Sequence, residues 1–478
     1  MTSRALGAAT LLSAVALSAA TLSAYAGGSF DPNAPRGLSM AKFAIPGKSA
    51  QEICIVPKHL AFADYRKSDE KKEQELCKYN FYESSGTTDS SGAVVVCPKT
   101  SSTSAGVLLY SIPDGQTKSA LQTASSCVAI ESNNRPKGVK QIAKFKQTDD
   151  DRTCTSTSSI LGYYHVSRAL GDIAQVAPAV IRTMDFGQHD KVVRQALSIS
   201  KVTRNGSLRK SWSNFTGYHS GSSGNPASLF TVDNSQIFGG LVAKDHDTAP
   251  YKEWVTSAGS GQTTISAVSA YRDVTNSQPA AKIIGSRNFT QAAAQKLLAM
   301  RDMGEMLLID TLMQQNDRTS GGNIVASTEV VYRDGADYKH DKSGKAVPAG
   351  APQYTVKRLH LVDNDCGLIE GPGAIVKQGY AAKINHMHPK TYTRLMQFAN
   401  KWQTDPSVKS FFQTEALFSS AQLDSFGKIL VKTRDALRAK CKASDHFLDL
   451  DTDDFFNGKT PDKSLCDADS LPTSAQTH

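Results

Sequence analysis

None of the eight cysteines in this chain is spaced as C-x-x-C, so a zinc ribbon or a thioredoxin-like redox site has no support. Beyond the first 26 residues no stretch approaches ~18 uncharged apolar residues, which leaves no candidate for an integral membrane segment in the processed chain. No internal repeat is present, so a repeat array is excluded.

The one long apolar run is N-terminal. Residues 1–26 carry an early positive charge, Arg4, then small and apolar residues over 6–22, then Ala24-Tyr25-Ala26 before Gly27, the three parts of a cleavable secretory signal. The run is rich in Ala and Ser and short for spanning ~30 Å of hydrocarbon. The expected location is secreted or periplasmic, or the lumen of the secretory pathway in a eukaryote. Cys54, Cys77, Cys97, Cys127, Cys154, Cys366, Cys441 and Cys466 all survive cleavage, an even number bound for an oxidising compartment. Disulfides are expected, their connectivity unreadable, with the four in the first part stapling that region to itself or to the strand after it. The formal charge of +9 falls to +8 once Arg4 leaves. That favours an anionic ligand or partner such as a nucleotide, an acidic protein or a membrane surface; nucleic acid is not expected.

From residue 29 to about 140, short apolar runs separated by Ser, Thr, Gly and Pro clusters predict strands and turns. Residues 141–146 alternate as a strand, 158–170 have helical spacing, and 176–181 return to a strand pattern. The stretch 200–285 is rich in Ser, Gly, Thr and Asn and reads as an irregular insertion; sequons begin at Asn205, Asn214 and Asn288. A long helix is predicted from Thr290 to Met313, and helix-rich sequence returns over 390–440. The expected division is a signal peptide (1–26), a disulfide-containing N-lobe (27–199), the insertion (200–285), a C-lobe (286–468) and a disordered tail (469–478).

The chemistry concentrates where that long helix ends. A polar loop carries Asp317-Arg318, Asn323 follows as a strand begins, and a second strand over 356–362 delivers Asp363-Asn364-Asp365-Cys366-Gly367. The stretch 329–354 between them reads as a hairpin excursion that leaves Asn323 and Asp363 at adjacent strand ends. Phosphoryl transfer from ATP needs one carboxylate to orient the acceptor hydroxyl, and a second carboxylate with a carbonyl-type oxygen for the Mg²⁺ or Mn²⁺ that bridges the phosphates. Asp317, Asp363 and Asn323 supply those groups in the chain order kinases use.

With these residues in view, the chain resembles a family. The Asp-Arg loop, the Leu359-His360-Leu361-Val362-Asp363-Asn364 strand, and Ala143-Lys144-Phe145-Lys146 ahead of the Tyr163-Tyr164-His165-Val166-Ser167-Arg168 helix look like the secretory-pathway kinases of the Golgi casein kinase and four-jointed group. They are similar, more distantly, to phosphatidylinositol kinases. The similarity covers roughly 141–184 and 290–373, less than a third of the chain. The resemblance implies an α+β, two-lobed protein-kinase-like fold with a β-rich N-lobe and a helical C-lobe. It also implies Asp317 as catalytic aspartate, Asp363 and Asn323 as metal ligands, and Lys146 on the α- and β-phosphates, with Lys144 on the same face as the alternative. The expected activity is transfer of the γ-phosphoryl group of ATP to a hydroxyl of a protein or glycan, acidic acceptors included. AMP transfer by the same fold and a non-catalytic secreted binding protein are the alternatives.

The pattern departs from that group in places. Ile160 stands where a helix glutamate would pair with the lysine, leaving Asp149, Asp150, Asp151 or Glu131 as candidate partners. Thr319 follows Asp317-Arg318 where relatives often have His. The stretch 100–106 between two strands is the candidate phosphate loop, competing with a plain hairpin turn. Asp185-Phe186-Gly187 precedes the catalytic loop and so cannot be the metal-binding triplet; it is expected to be a lobe-connecting turn. Asn385-His386-Met387-His388 could offer two metal ligands but shows no third, and 449–454 reads as a solvated acidic loop.

Overall fold

The computed structural model describes residues 30–467 except 101–103, 133, 150–153, 223, 225, 245–247, 255–263, 319–322 and 370–372. The signal segment, Asp150, Asp151, Thr319, part of the candidate phosphate loop and the tail therefore lie outside the described residues.

An antiparallel seven-stranded sheet forms the N-lobe. In chain order its strands are β1 (Ser39–Ala44), β2 (Gln51–Val56), β3 (Val94–Pro98), β4 (Val107–Ser111), β5 (Gln141–Gln147), β6 (Ala179–Asp185) and β7 (Gln236–Ala243). In space they run β1-β2-β6-β7-β5-β4-β3. Both faces are buried, and the two-residue period of a strand sorts the side chains between them. Ile53, Ile55 and Ile181 pack towards one core with Phe238, while Cys54, Val56, Val180 and Leu241 pack towards the other. The helices of eight or more residues begin with α1 (Lys67–Leu76), α2 (Ala124–Glu131), α3 (Thr157–Ala169), α4 (Phe186–Val202) and α5 (Gly206–His219). Helix α3 packs on β6 and β7, and α4 lies over β3 and against α2.

The stretch 200–285, expected as an irregular insertion, contains α5 and the strand β7 that joins β6 to β5 at the centre of the sheet. Its Gly239 and Gly240 allow close approach: a Cβ on Gly239 would lie 2.2 Å from the Lys146 carbonyl oxygen, and one on Gly240 would lie 2.8 Å from Ile160. The glycines that looked like loop punctuation are what lets β7 pass between β5 and α3.

The second lobe is built on α6 (Gln291–Leu312), which Thr290 caps by accepting a hydrogen bond from the Ala293 amide. After α6 the chain forms β9 (Ile324–Asp334), β10 (Asp337–Asp341) and β11 (Gln353–Leu361), ordered β10-β9-β11, with the short β8 (Ala249–Pro250) paired to β9. This is the expected hairpin excursion, and its register sets Ile324 opposite Leu361. Helices α7 (Pro389–Thr404), α8 (Pro406–Thr414) and α9 (Ser420–Ala443) complete the lobe. The architecture is thus α+β and two-lobed in the manner of a protein kinase, with a sheet-based N-lobe and a helical C-lobe. No described helix is long and apolar enough to cross a membrane.

All eight cysteines are paired. Cys54–Cys77 and Cys97–Cys127 staple the N-terminal region to itself, as expected, and Cys441–Cys466 ties the chain beyond α9 back to it. Cys154–Cys366 instead joins the residue ahead of α3 to the turn after β11, 212 positions away, and so crosses between the lobes.

Candidate active site

Between the lobes lies a cleft of about 390 Å³. Its roof comes from β4, β5 and β7 with Leu108, Lys144, Lys146 and Val242, and its floor from the end of β11 with Leu361, Val362, Asp363 and Asp365. Along β5, Ala143 and Phe145 point into the N-lobe core, so Lys144 and Lys146 share the opposite face.

Each lysine meets one aspartate of the turn below. Lys144 is ion-paired with Asp363 and Lys146 with Asp365, so two positions of a strand match two positions of a turn. Lys146 also donates to Ser104 Oγ at 2.6 Å and lies 3.8 Å from Asp363, and Lys99 approaches Asp363 to 3.7 Å. The Lys146 side chain is 2 % exposed and that of Lys144 20 %. Burial, with Lys146 and Lys99 nearby, pulls the Lys144 ammonium down to about 7 despite Asp363. For Lys146 burial acts in the same direction, but Asp365 and Asp363 outweigh it and hold the group above its usual value. The Asp363 carboxyl, although buried, is held well below the usual range by Lys144, Lys99 and Lys146. Its backbone is left-handed (φ 53°), a conformation Asp tolerates better than most residues, at the exit from the strand.

Beyond α6, the described residues on either side of 319–322 are tied to one another. Asn323 Nδ2 donates to the Asp317 carbonyl at 2.7 Å, and the Val362 amide donates to the Asn323 carbonyl at 3.3 Å. Asn323 and Asp363 therefore stand at adjacent strand ends, as expected. The Asp317 carboxyl is raised above its ordinary value by burial and then by the charges of Asp363 and Asp365, which puts all three carboxylates in one electrostatic neighbourhood. Asp317, Asn323, Asp363, Lys144 and Lys146 are thus brought together.

Arg318 does not form the surface pair that its residue type suggests. It is buried, donating to Asp310, to the Asn323 and Val362 carbonyls at 3.0 and 2.8 Å, and to Asn364 Oδ1 at 2.6 Å. Tyr163 on α3 donates to the same Asp310 at 2.6 Å. One guanidinium thereby ties the Asp317 loop to the Asp363 turn.

Several other expectations are corrected or resolved by the contacts. Ile160 does occupy the helix position without a carboxylate, but the acid that meets Lys146 is Asp365, whereas Glu131 accepts the Thr100 amide at 2.6 Å and the Asp149 amide donates to Thr155. Of the candidate phosphate loop, the described residues show the Lys99 amide donating to the Gly106 carbonyl at the end of the β3–β4 pair, and Ser104 accepting from Lys146. Asp185 is an N-cap within the N-lobe rather than a lobe connection, accepting from the Gly187 and Gln188 amides at the start of α4. His386 bonds to Asp449 and the Asn276 carbonyl, and His388 faces Asp451 at 3.3 Å. Asp451 caps the helix Thr452–Phe456 and Asp449 accepts the Ala280 amide, so these acids hold structure together. Among the described residues no group of three or more His, Cys, Asp or Glu side chains is arranged to hold a metal ion.

Lys99, Arg318, Asp310 and Asp365 were not singled out from the sequence. Only Asp365 carried a usable signal: it lies two positions beyond Asp363, as Lys146 lies two beyond Lys144.

No family model matches the chain, and no curated protein does. Among solved structures it is similar to a crystal structure of the Golgi casein kinase with Mn/ADP bound, at 12% identity and a TM-score of 0.39, covering 78% of this chain and 77% of that one. A second crystal structure of the Golgi casein kinase gives the same identity and TM-score, with 78% and 76% covered.

Proposed function

We propose that the protein is an exported, ATP-dependent phosphotransferase that moves the γ-phosphoryl group to a hydroxyl of a protein or glycan. The observation that carries this reading is that Asp363 and the β5 lysines line one inter-lobe cleft, with Asn323 at the adjacent strand end and its amide donating to the Asp317 carbonyl.

Each group has a task that suits its surroundings. The apolar side chains of Leu108, Val242 and Leu361 offer surfaces for the two faces of a purine. Lys146, desolvated and kept charged, holds phosphate oxygens and excludes water from them. Asp317, half-buried between α6 and β9, accepts the hydrogen bond of an incoming hydroxyl and orients it.

The donor set fits Mg²⁺ or Mn²⁺. The Asp363 carboxylate and the Asn323 amide oxygen are both hard oxygen ligands, and such ions take their remaining ligands from phosphate and water rather than from a full protein cage. Bound there, the ion would neutralise charge on the transferring phosphate.

Thermal unfolding of the purified processed chain with ATP, with and without Mn²⁺, tests the reading: a specific ligand raises the melting temperature by mass action. Mass spectrometry of an incubated acceptor then separates gain of phosphate from gain of AMP. No shift with any nucleotide overturns the proposal, and biological activity that survives both Asp317→Ala and Asp363→Ala assigns a binding role instead.

A further inference from the structure

Helix α3 (Thr157–Ala169) contains no Asp or Glu at all. In protein kinases the lysine that grips the phosphates is oriented by a helix glutamate, and movement of that helix makes or breaks the pair. Here Ile160 occupies the site, packed against Gly240, the residue directly opposite Lys146 in the β5–β7 register. A buried ammonium still needs a counter-charge, because an unpaired one would shed its proton or pull the side chain out to water.

Asp365 supplies that charge, and its turn is held on two sides. On the α3 side the Ser156 amide donates to the Asp365 carbonyl at 2.8 Å, Ser159 Oγ donates to the Asn364 carbonyl at 2.7 Å, and the Gly367 amide donates back to Ser159 Oγ at 3.0 Å. The Cys154–Cys366 bond closes the same seam covalently. On the C-lobe side the Asn316 amide donates to the Cys366 carbonyl at 3.0 Å and the Leu368 amide to the Met313 carbonyl at 2.9 Å.

We propose that Asp365 is the positioning residue for Lys146, taking the place of the absent helix carboxylate from within the turn that carries Asp363. The lysine is then oriented by the floor of the cleft, and no helix movement is needed to assemble the pair. This rests on the phosphotransferase reading for its consequence, but not for the pair itself.

Two readouts keep the two ideas apart. The first is acylation of Lys146 by an amine-reactive reagent, followed by peptide mass spectrometry. Asp365→Asn should speed labelling of Lys146 several-fold, and the double variant Ile160→Glu/Asp365→Asn, which returns a carboxylate to α3, should slow it again. Unchanged labelling in Asp365→Asn overturns the proposal whether or not ATP binds, and protection of Lys146 by ATP with Mn²⁺ tests the phosphotransferase reading separately. The second readout is ATP turnover. Displacing a phosphate-holding group costs on the order of 100-fold, so Asp365→Asn should lower kcat/KM by about that factor at a temperature where the variant is fully folded, and the double variant should recover most of it. If Asp365→Asn instead raises the Mn²⁺ requirement and Ile160→Glu restores nothing, Asp365 is a metal ligand and the positioning role is wrong.

Discussion

Arg318 forks its guanidinium onto the Asp310 carboxylate, Nε to Oδ2 at 2.9 Å and Nη2 to Oδ1 at 3.1 Å, with both side chains fully buried. The pair joins the end of α6 to the loop that follows it, and the remaining guanidinium donors hold the Asn323 and Val362 carbonyls. Removing one partner would leave the other charged, buried and unpaired, at a cost of about 3–5 kcal/mol. Arg318→Ala should lower unfolding stability by that amount in a urea titration, and Arg318→Lys should not restore it, since an ammonium cannot fork onto a carboxylate. A loss below about 1 kcal/mol would remove Arg318 as the tie between the loop and the turn.

Asp317 stands in the opposite situation. Its carboxyl is crowded by Asp363 and Asp365, which push its pKa up after burial has done so. Neutralising it should relieve repulsion while removing the group that orients the acceptor. Asp317→Asn is expected to reduce phosphoryl transfer by about 10²–10⁴-fold and to leave the melting temperature equal or higher. A variant that melts lower and keeps its activity would show that Asp317 is structural.

The contrast between these two neighbours marks what the sequence could reveal. Residue identity and chain order are enough to nominate Asp317, Asn323 and Asp363, because magnesium and acceptor chemistry restrict the residue types. Thr290 to Met313 reads as a helix because its N-cap and apolar spacing agree, and α6 spans Gln291–Leu312. Strand β7 was illegible for the converse reason: a strand buried on both faces does not alternate, and its two glycines look like breakers until their neighbours are seen. Arg318, Asp310 and Asp365 act through partners supplied by tertiary packing, which a local pattern does not encode.

Stability towards acid should depend on Glu329. Burial alone would raise its pKa, but His340 at 2.9 Å and Arg358 at 3.1 Å outweigh that and lower it from 4.5 to about 2. Because the folded value lies below the unfolded one, ionised Glu329 favours the folded state above about pH 4.5, and this contribution drains away as the pH falls towards about 2. Its size at neutral pH is about 3 kcal/mol. The stability gap between the wild type and Glu329→Gln should therefore be widest near pH 7 and close on acidification. A gap that stays constant from pH 7 to pH 3 would contradict the assignment.

The two β5 lysines should part company under mutation. Lys144 is paired with Asp363, the expected metal ligand, so its ammonium competes with a cation for that carboxylate. Lys146 instead reaches Ser104 on the β3–β4 turn and Asp365 on the floor, deeper in the cleft. In a Mn²⁺ titration of ATP-induced thermal stabilisation, Lys144→Met should reach half-effect at a lower Mn²⁺ concentration than the wild type, since one competitor has gone. Lys146→Met should lose most of the stabilisation at any Mn²⁺ concentration, because the phosphates lose their buried cation. The reverse pattern, with Lys144→Met abolishing the ATP effect and Lys146→Met sparing it, would move the phosphate contact two residues along the strand and leave Lys146 as a buried structural ion pair.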